Sequence, residues 1–177
     1  MMFWLNLLGY QCVWFLLVRG ASTGRLWLPL LAGALFVLTQ LATAAHVRRE
    51  LRLLVGALLI GGIVDGVAAA TGWLRYATPS PAWPAHGAPV WILMLWACFA
   101  TTLNRSLAVL RSRLWLAALL GGFGAPLAYL AAARGWGAVQ LSPWPGMAWI
   151  AACWALALPM LLIVNQHGRP HDRARLP

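Results

Sequence analysis

"LLVGALLIGGIVDGVAAATG", residues 53–72, decides the fold. An α-helix needs roughly 20 mainly apolar residues to cross the hydrocarbon core of a bilayer, and this stretch has that length with one interruption, Asp65. On insertion scales a central carboxylate costs about 2.5–3.5 kcal/mol, while each Leu, Ile or Val returns about 0.3–0.6. The nine Leu, Ile and Val residues here offset Asp65, so the segment is predicted to span. Helical spacing then orients it. Residues three, four and seven from Asp65 include Gly61, Gly62, Ala68, Ala69, Leu58 and Gly72, whereas Leu59, Ile60, Ile63, Val64 and Val67 form the other face. Small residues let helices approach closely, and Gly62 with Gly66 supplies a G-x-x-x-G. Asp65 is therefore expected to point into a bundle rather than toward lipid.

The rest of the chain agrees with a membrane setting. Of 177 residues, 62% are hydrophobic and 9% charged, against about 45–50% and 25% in soluble domains. The predicted fold is all-α: an integral membrane bundle of six transmembrane helices, about Met2–Val18, Trp27–Ala45, Leu53–Gly72, Ala88–Leu110, Leu114–Ala133 and Gly146–Val164. Residues 1–164 form this bundle and 165–177 a short cationic tail. The first apolar run lacks a basic leader and reads as a retained span rather than a signal peptide.

The formal charge is +10, and every one of the 13 basic residues is Arg. Three Arg fall in each of His46–Arg52, Arg105–Arg113 and Asn165–Pro177, against Arg19, Arg25, Arg75 and Arg134 on the other side. Positive charge marks the cytoplasmic side, so both termini are expected in the cytoplasm. The basic residues orient the chain in a bilayer, and no nucleic acid partner is indicated. The opposite loops, "WLRYATPSPAWPAHGAP" and "RGWGAVQLSPWPG", are rich in Pro, Gly and Trp. Trp73, Trp83, Trp91, Trp136, Trp144 and Trp149 would make an interfacial aromatic belt there. "WILMLWA" (91–97) and "WIAACWA" (149–155) share the pattern W-I-x3-W-A, a hint of a repeated hairpin that the Ala, Leu and Trp bias of the chain could also produce.

Ionisable and amide side chains inside a span are the candidate functional groups. In "NLLGYQCVW" Asn6, Tyr10 and Trp14 share a face, with Gln11 adjacent. In "FATTLNRSL" Thr101 lies on the face of Asn104 and Arg105. Gln40 and His46 close the second span. These groups are expected to cluster in the cytoplasmic half with Asp65 at the deep end, either as interhelical hydrogen bonds or as a site that binds substrate or handles protons. No H-x-x-x-H pair, P-loop, G-x-S-x-G or Rossmann fingerprint is present. Cys12, Cys98 and Cys153 are widely separated, and His167, His171 and Asp172 sit in the tail, so neither metal nor cofactor is indicated.

The segments "NLLGYQCVWFLLVRGA", "GGIVDGV" and above all "PVWILMLWACFATTLNRSLAVL" resemble the bacterial inner-membrane family catalogued as domain of unknown function 2878, over nearly the whole chain. One departure is Arg105, where that family leads one to expect His. The resemblance implies several transmembrane helices and a shared site from Asn6, Gln11, Asp65, Thr102, Asn104 and Ser106. It also implies a link to membrane lipid handling, since members are often encoded near cyclopropane-fatty-acid-synthase-like enzymes. The leading expectation is an accessory protein in lipid or fatty-acyl modification, with the bilayer and another membrane protein or lipid-modifying enzyme as partners, as a homo-oligomer or alone. A lipid-active membrane enzyme using Asp65 as acid/base, and a small proton-coupled transporter, are the alternatives.

Overall fold

The computed structural model describes residues 2–166. Among these the chain forms six helices: α1 (Met2–Thr23), α2 (Trp27–Ala42), α3 (Val47–Ala70), α4 (Val90–Ala100), α5 (Leu114–Trp136) and α6 (Pro145–Gln166). Three of them, α3, α5 and α6, are long and apolar enough to cross a membrane, while α2 and α4 are shorter apolar helices. α3 is central and packs on both α4 and α6. Asn6 of α1 bonds to Ser106 and Asn165 of α6 to Asn104. The beginning of α1 and the end of α6 therefore lie at one end of the bundle. Asn165 belongs to α6 and not to a tail; residues 167–177, with His167, His171 and Asp172, lie outside the described residues.

The fourth apolar stretch departs from expectation. Instead of one helix over Ala88–Leu110, α4 stops at Ala100 and a 3₁₀ turn, Ala108–Ser112, follows an irregular segment. The reason is local chemistry. Thr101 Oγ1 donates to the Cys98 carbonyl at 2.7 Å and Thr102 Oγ1 to that of Phe99 at 2.6 Å. Hydroxyls that bond nearby carbonyls compete with the helical ladder, and the amides of Thr102 and Leu103 shift to partners three residues back. At about 1.5 Å per residue, the 11 residues of α4 reach only ~16 Å. Non-helical backbone at membrane depth is tolerated where protein surrounds it, and Thr101, Thr102, Leu103 and Ser106 are all buried.

The opposite end carries structure that apolar patterning did not reveal. Strands β1 (Leu74–Tyr76) and β4 (Val139–Leu141) pair antiparallel, tying the loop after α3 to the loop after α5, and the short β2 (Ala82–Trp83) and β3 (Ala88–Pro89) pair beside them. Two glycines set the helix spacing. A Cβ on Gly61 would lie 2.5 Å from the Trp96 ring, and one on Gly121 would lie 2.1 Å from the Trp154 carbonyl oxygen. Gly121 belongs to a π turn, Leu120–Gly124, within α5, where the backbone of α5 meets that of α6.

Candidate functional site

Asp65 is fully buried, 0% exposed, and its carboxyl is a junction of four elements. Its Oδ1 accepts the hydroxyls of Tyr76, from β1, at 2.6 Å and Tyr129, from α5, at 2.5 Å; its Oδ2 accepts Trp96 Nε1, from α4, at 2.7 Å. Gly61, one turn before Asp65, leaves the space in which the Trp96 ring lies across α3. An indole N–H can only donate, so Oδ2 accepts from Trp96 while Oδ1 accepts from both phenols. Burial, and then the Asp65 carboxyl, hold the Tyr76 phenol well above its ordinary value.

A cavity of about 340 Å³ adjoins this junction, bounded by α1, α4, α5 and α6. Its wall is strongly aromatic: Tyr10, Trp14, Trp91, Trp96, Phe99, Tyr129 and Trp154 all line it. Trp96 and Trp154 stack at 4.0 Å, and Phe99 meets Trp154 edge-on at 5.1 Å. Trp136 of α5 packs edge-on against Phe15 and against Trp14, itself a lining residue, of α1. Leu120, which lines the cavity, is exposed on its outer side. Asp65 does not line the cavity; Tyr129 and Trp96 stand between them.

The residues expected to form one polar pocket separate into distinct groups. Asn6, Gln40 and Ser106 meet at the far end of the bundle: Asn6 Nδ2 donates to Gln40 Oε1 at 3.1 Å, and Ser106 Oγ to Asn6 Oδ1 at 2.7 Å. Asn104 lies at the same end. It donates to Glu50 at 2.8 Å and accepts from Asn165 at 2.5 Å and from Arg111. Arg105, where His was expected, donates to the Gln40 carbonyl at 2.9 Å and to Thr43 at 2.8 Å. Thr101 and Thr102 bond their own backbone, while Tyr10 and Gln11 line the cavity. Asp65 is 15 residues beyond Glu50, about 22 Å along α3, and so is not the deep end of that cluster. Among the described residues no three His, Cys, Asp or Glu side chains are grouped to hold a metal ion.

The three partners of Asp65, Tyr76, Trp96 and Tyr129, are not among the residues expected from the sequence, which gives them no role. The W-I-x3-W-A echo was the available signal. Its two second tryptophans, Trp96 and Trp154, are the stacked pair, and its first, Trp91 and Trp149, donate alike to backbone carbonyls, of Thr78 at 3.0 Å and Val64 at 2.9 Å. Trp91 is thus buried rather than interfacial, and within the expected belt Trp83 and Trp144 are the strongly exposed members.

A family model described as "Protein of unknown function (DUF2878)" matches residues 3–160. The chain belongs to the DUF2878 family. The match takes in the Asp65 junction, the aromatic cavity and the Thr101–Ser106 break of this DUF2878 protein. No curated protein and no solved structure matches the chain.

Proposed function

We propose that this DUF2878 protein is a multi-pass protein of the bacterial inner membrane that takes the acyl part of a lipid sideways from the bilayer into the aromatic cavity. It acts there as an accessory or partner in membrane lipid or fatty-acyl modification. The observation that carries this reading is the cavity itself. Its volume falls within the range of small-molecule pockets, about 300–1,000 Å³, its lining is mostly apolar and aromatic, and Leu120 of that lining is exposed. A cavity lined in this way suits hydrocarbon and not water.

The topology in this reading has six spans, the fourth completed by the buried irregular segment after Ala100. The end carrying Arg48, Arg49, Arg52, Arg105, Arg111 and Arg113 faces the cytoplasm, in line with the excess of positive charge on that side of membrane proteins. Asp65 acts in this reading as a positioning residue: it fixes Tyr129 and Trp96, which form the cavity wall.

The test is to fill the cavity. Ala128 lines it and is half-buried, so Ala128→Trp should occupy much of the space. Wild-type protein released from bacterial membranes and measured by native mass spectrometry is expected to carry lipid adducts that the Ala128→Trp variant lacks. Adducts equal in both, in protein that remains folded, would overturn the reading.

A further inference from the structure

Three polar side chains on one face of α1 reach the cavity without a hydrogen-bond partner among the described residues. The Tyr10 hydroxyl, the Gln11 amide and the Trp14 indole N–H make no hydrogen bond to a described residue, and all three residues line the cavity. On the neighbouring walls Tyr129 and Trp96 donate to Asp65 and Trp91 donates to the Thr78 carbonyl, while the buried indole N–H of Trp154, a further donor, also has no hydrogen-bond partner among the described residues. Gln11 is exposed near the middle of the 22-residue α1. A bilayer core offers no water to such groups, and a polar group left unsatisfied there is unfavourable. Something that enters the cavity from the membrane must therefore answer them.

The lining also states what that is. Tyr10, Gln11 and Trp14 can each donate, and Trp14 can only donate, so the guest needs an acceptor oxygen. Among the described residues no Arg, His, Asp or Glu lines the cavity, so a carboxylate or phosphate would be buried without a counter-charge from them, which is strongly unfavourable. A neutral carbonyl oxygen meets both conditions, and the stacked Trp96–Trp154 wall accepts flat or apolar matter beyond it.

Resting on the acyl-cavity reading above, we propose that the cavity selects an apolar molecule bearing a neutral carbonyl, as in an acyl ester or an alkyl quinone, with the donors of Tyr10, Gln11 and Trp14 directed at the carbonyl oxygen. Titrations of the purified full chain in nanodiscs with methyl palmitate, a decyl benzoquinone and n-hexadecane test it, because hexadecane lacks only the oxygen. At least one carbonyl probe is expected to bind about tenfold more tightly than hexadecane, the value of one retained hydrogen bond. Tyr10→Phe and Gln11→Leu should each shrink that ratio toward one while circular dichroism and gel filtration stay those of wild type. Which carbonyl probe gains identifies the source, ester or quinone. Equal binding of hexadecane and both carbonyl probes overturns the inference and leaves the acyl cavity standing; binding of none overturns both. Gln11→Leu converting a dimer to a monomer overturns it as well, because the amide would then have been satisfied by a second copy of the chain.

Discussion

Replacing Asp65 with alanine removes the common acceptor of three buried donors. Each donor left unsatisfied costs about 1–3 kcal/mol, so losing the bonds to Tyr76, Trp96 and Tyr129 costs about 3–9 kcal/mol. Trp96 is 1% exposed and has no acceptor but Asp65 among the described residues, so relaxation spares little at that position. Total stabilities are commonly about 5–15 kcal/mol; Asp65→Ala therefore threatens the whole bundle. Asp65→Asn is a different perturbation. The amide oxygen can face Trp96, and the two amide hydrogens can be accepted by the two phenols, whose O–H groups rotate. All three side chains stay bonded, but the phenol hydrogens lose their acceptor, and the smaller desolvation of an amide offsets part of that loss. The expected cost is about 1–3 kcal/mol. For a chain of this size 1 kcal/mol moves the midpoint by about 2–4 °C, so thermal unfolding in detergent, followed by retention of the monodisperse peak, should fall by at least about 6 °C for Asp65→Ala and by clearly less for Asp65→Asn. The hub reasoning is refuted if Ala is tolerated as well as wild type, or if Asn is as damaging as Ala. If Asn is stable and yet abolishes a cellular phenotype of the deletion, the carboxyl has work beyond holding the helices.

Gly121→Ala should destabilise by more than about 3 kcal/mol, because its methyl would meet the Trp154 carbonyl on a backbone that cannot swing aside; expression of folded protein by gel filtration reports it. Gly61→Ala should cost less, since the Trp96 ring can tilt, but it should break the Trp96–Asp65 bond, and near-ultraviolet circular dichroism of the tryptophans would change. Asn104→Ala removes an acceptor of Arg111 and Asn165 and the donor to Glu50, so about 2–4 kcal/mol should be lost at the Arg-rich end; Asn104→Leu retaining full thermal stability would argue against that network. The raised Tyr76 phenol keeps its proton in the folded state, so its stabilisation is complete below the ordinary value of about 10 and is lost as pH climbs through the folded value. A midpoint-against-pH curve should decline above about pH 10, less steeply in Tyr76→Phe.

The sequence made the helices legible because lipid imposes one periodicity and one length on everything it touches. The faces of α3 are legible in part: Gly61, Gly62 and Ala68 of the stripe around Asp65 are buried and Ile63 is exposed at 64%, yet Val64, expected on the other face, is buried and Leu58, expected on the Asp65 face, is exposed. What failed was depth. Asn104 and Gln40 are polar and Asp65 is polar, and likeness of chemistry suggested one pocket, yet the rise of α3 alone separates Asp65 from the Glu50 end by about 22 Å. The break after Ala100 was missed for the opposite reason. Hydropathy averages over Thr101 and Thr102, whereas their hydroxyls act individually on the carbonyls of Cys98 and Phe99 and end the helix where the average sees only an apolar run. The β1–β4 ribbon lay beyond either rule, since its pairing joins residues more than 60 apart in loops that carry no span signal. Yet that ribbon is what delivers Tyr76 to Asp65. A buried carboxyl satisfied by a loop tyrosine, an α4 tryptophan and an α5 tyrosine cannot form until the loop, α4 and α5 are all in place, so the junction registers completed assembly, and the cavity wall made by Trp96 and Tyr129 exists only once it has formed.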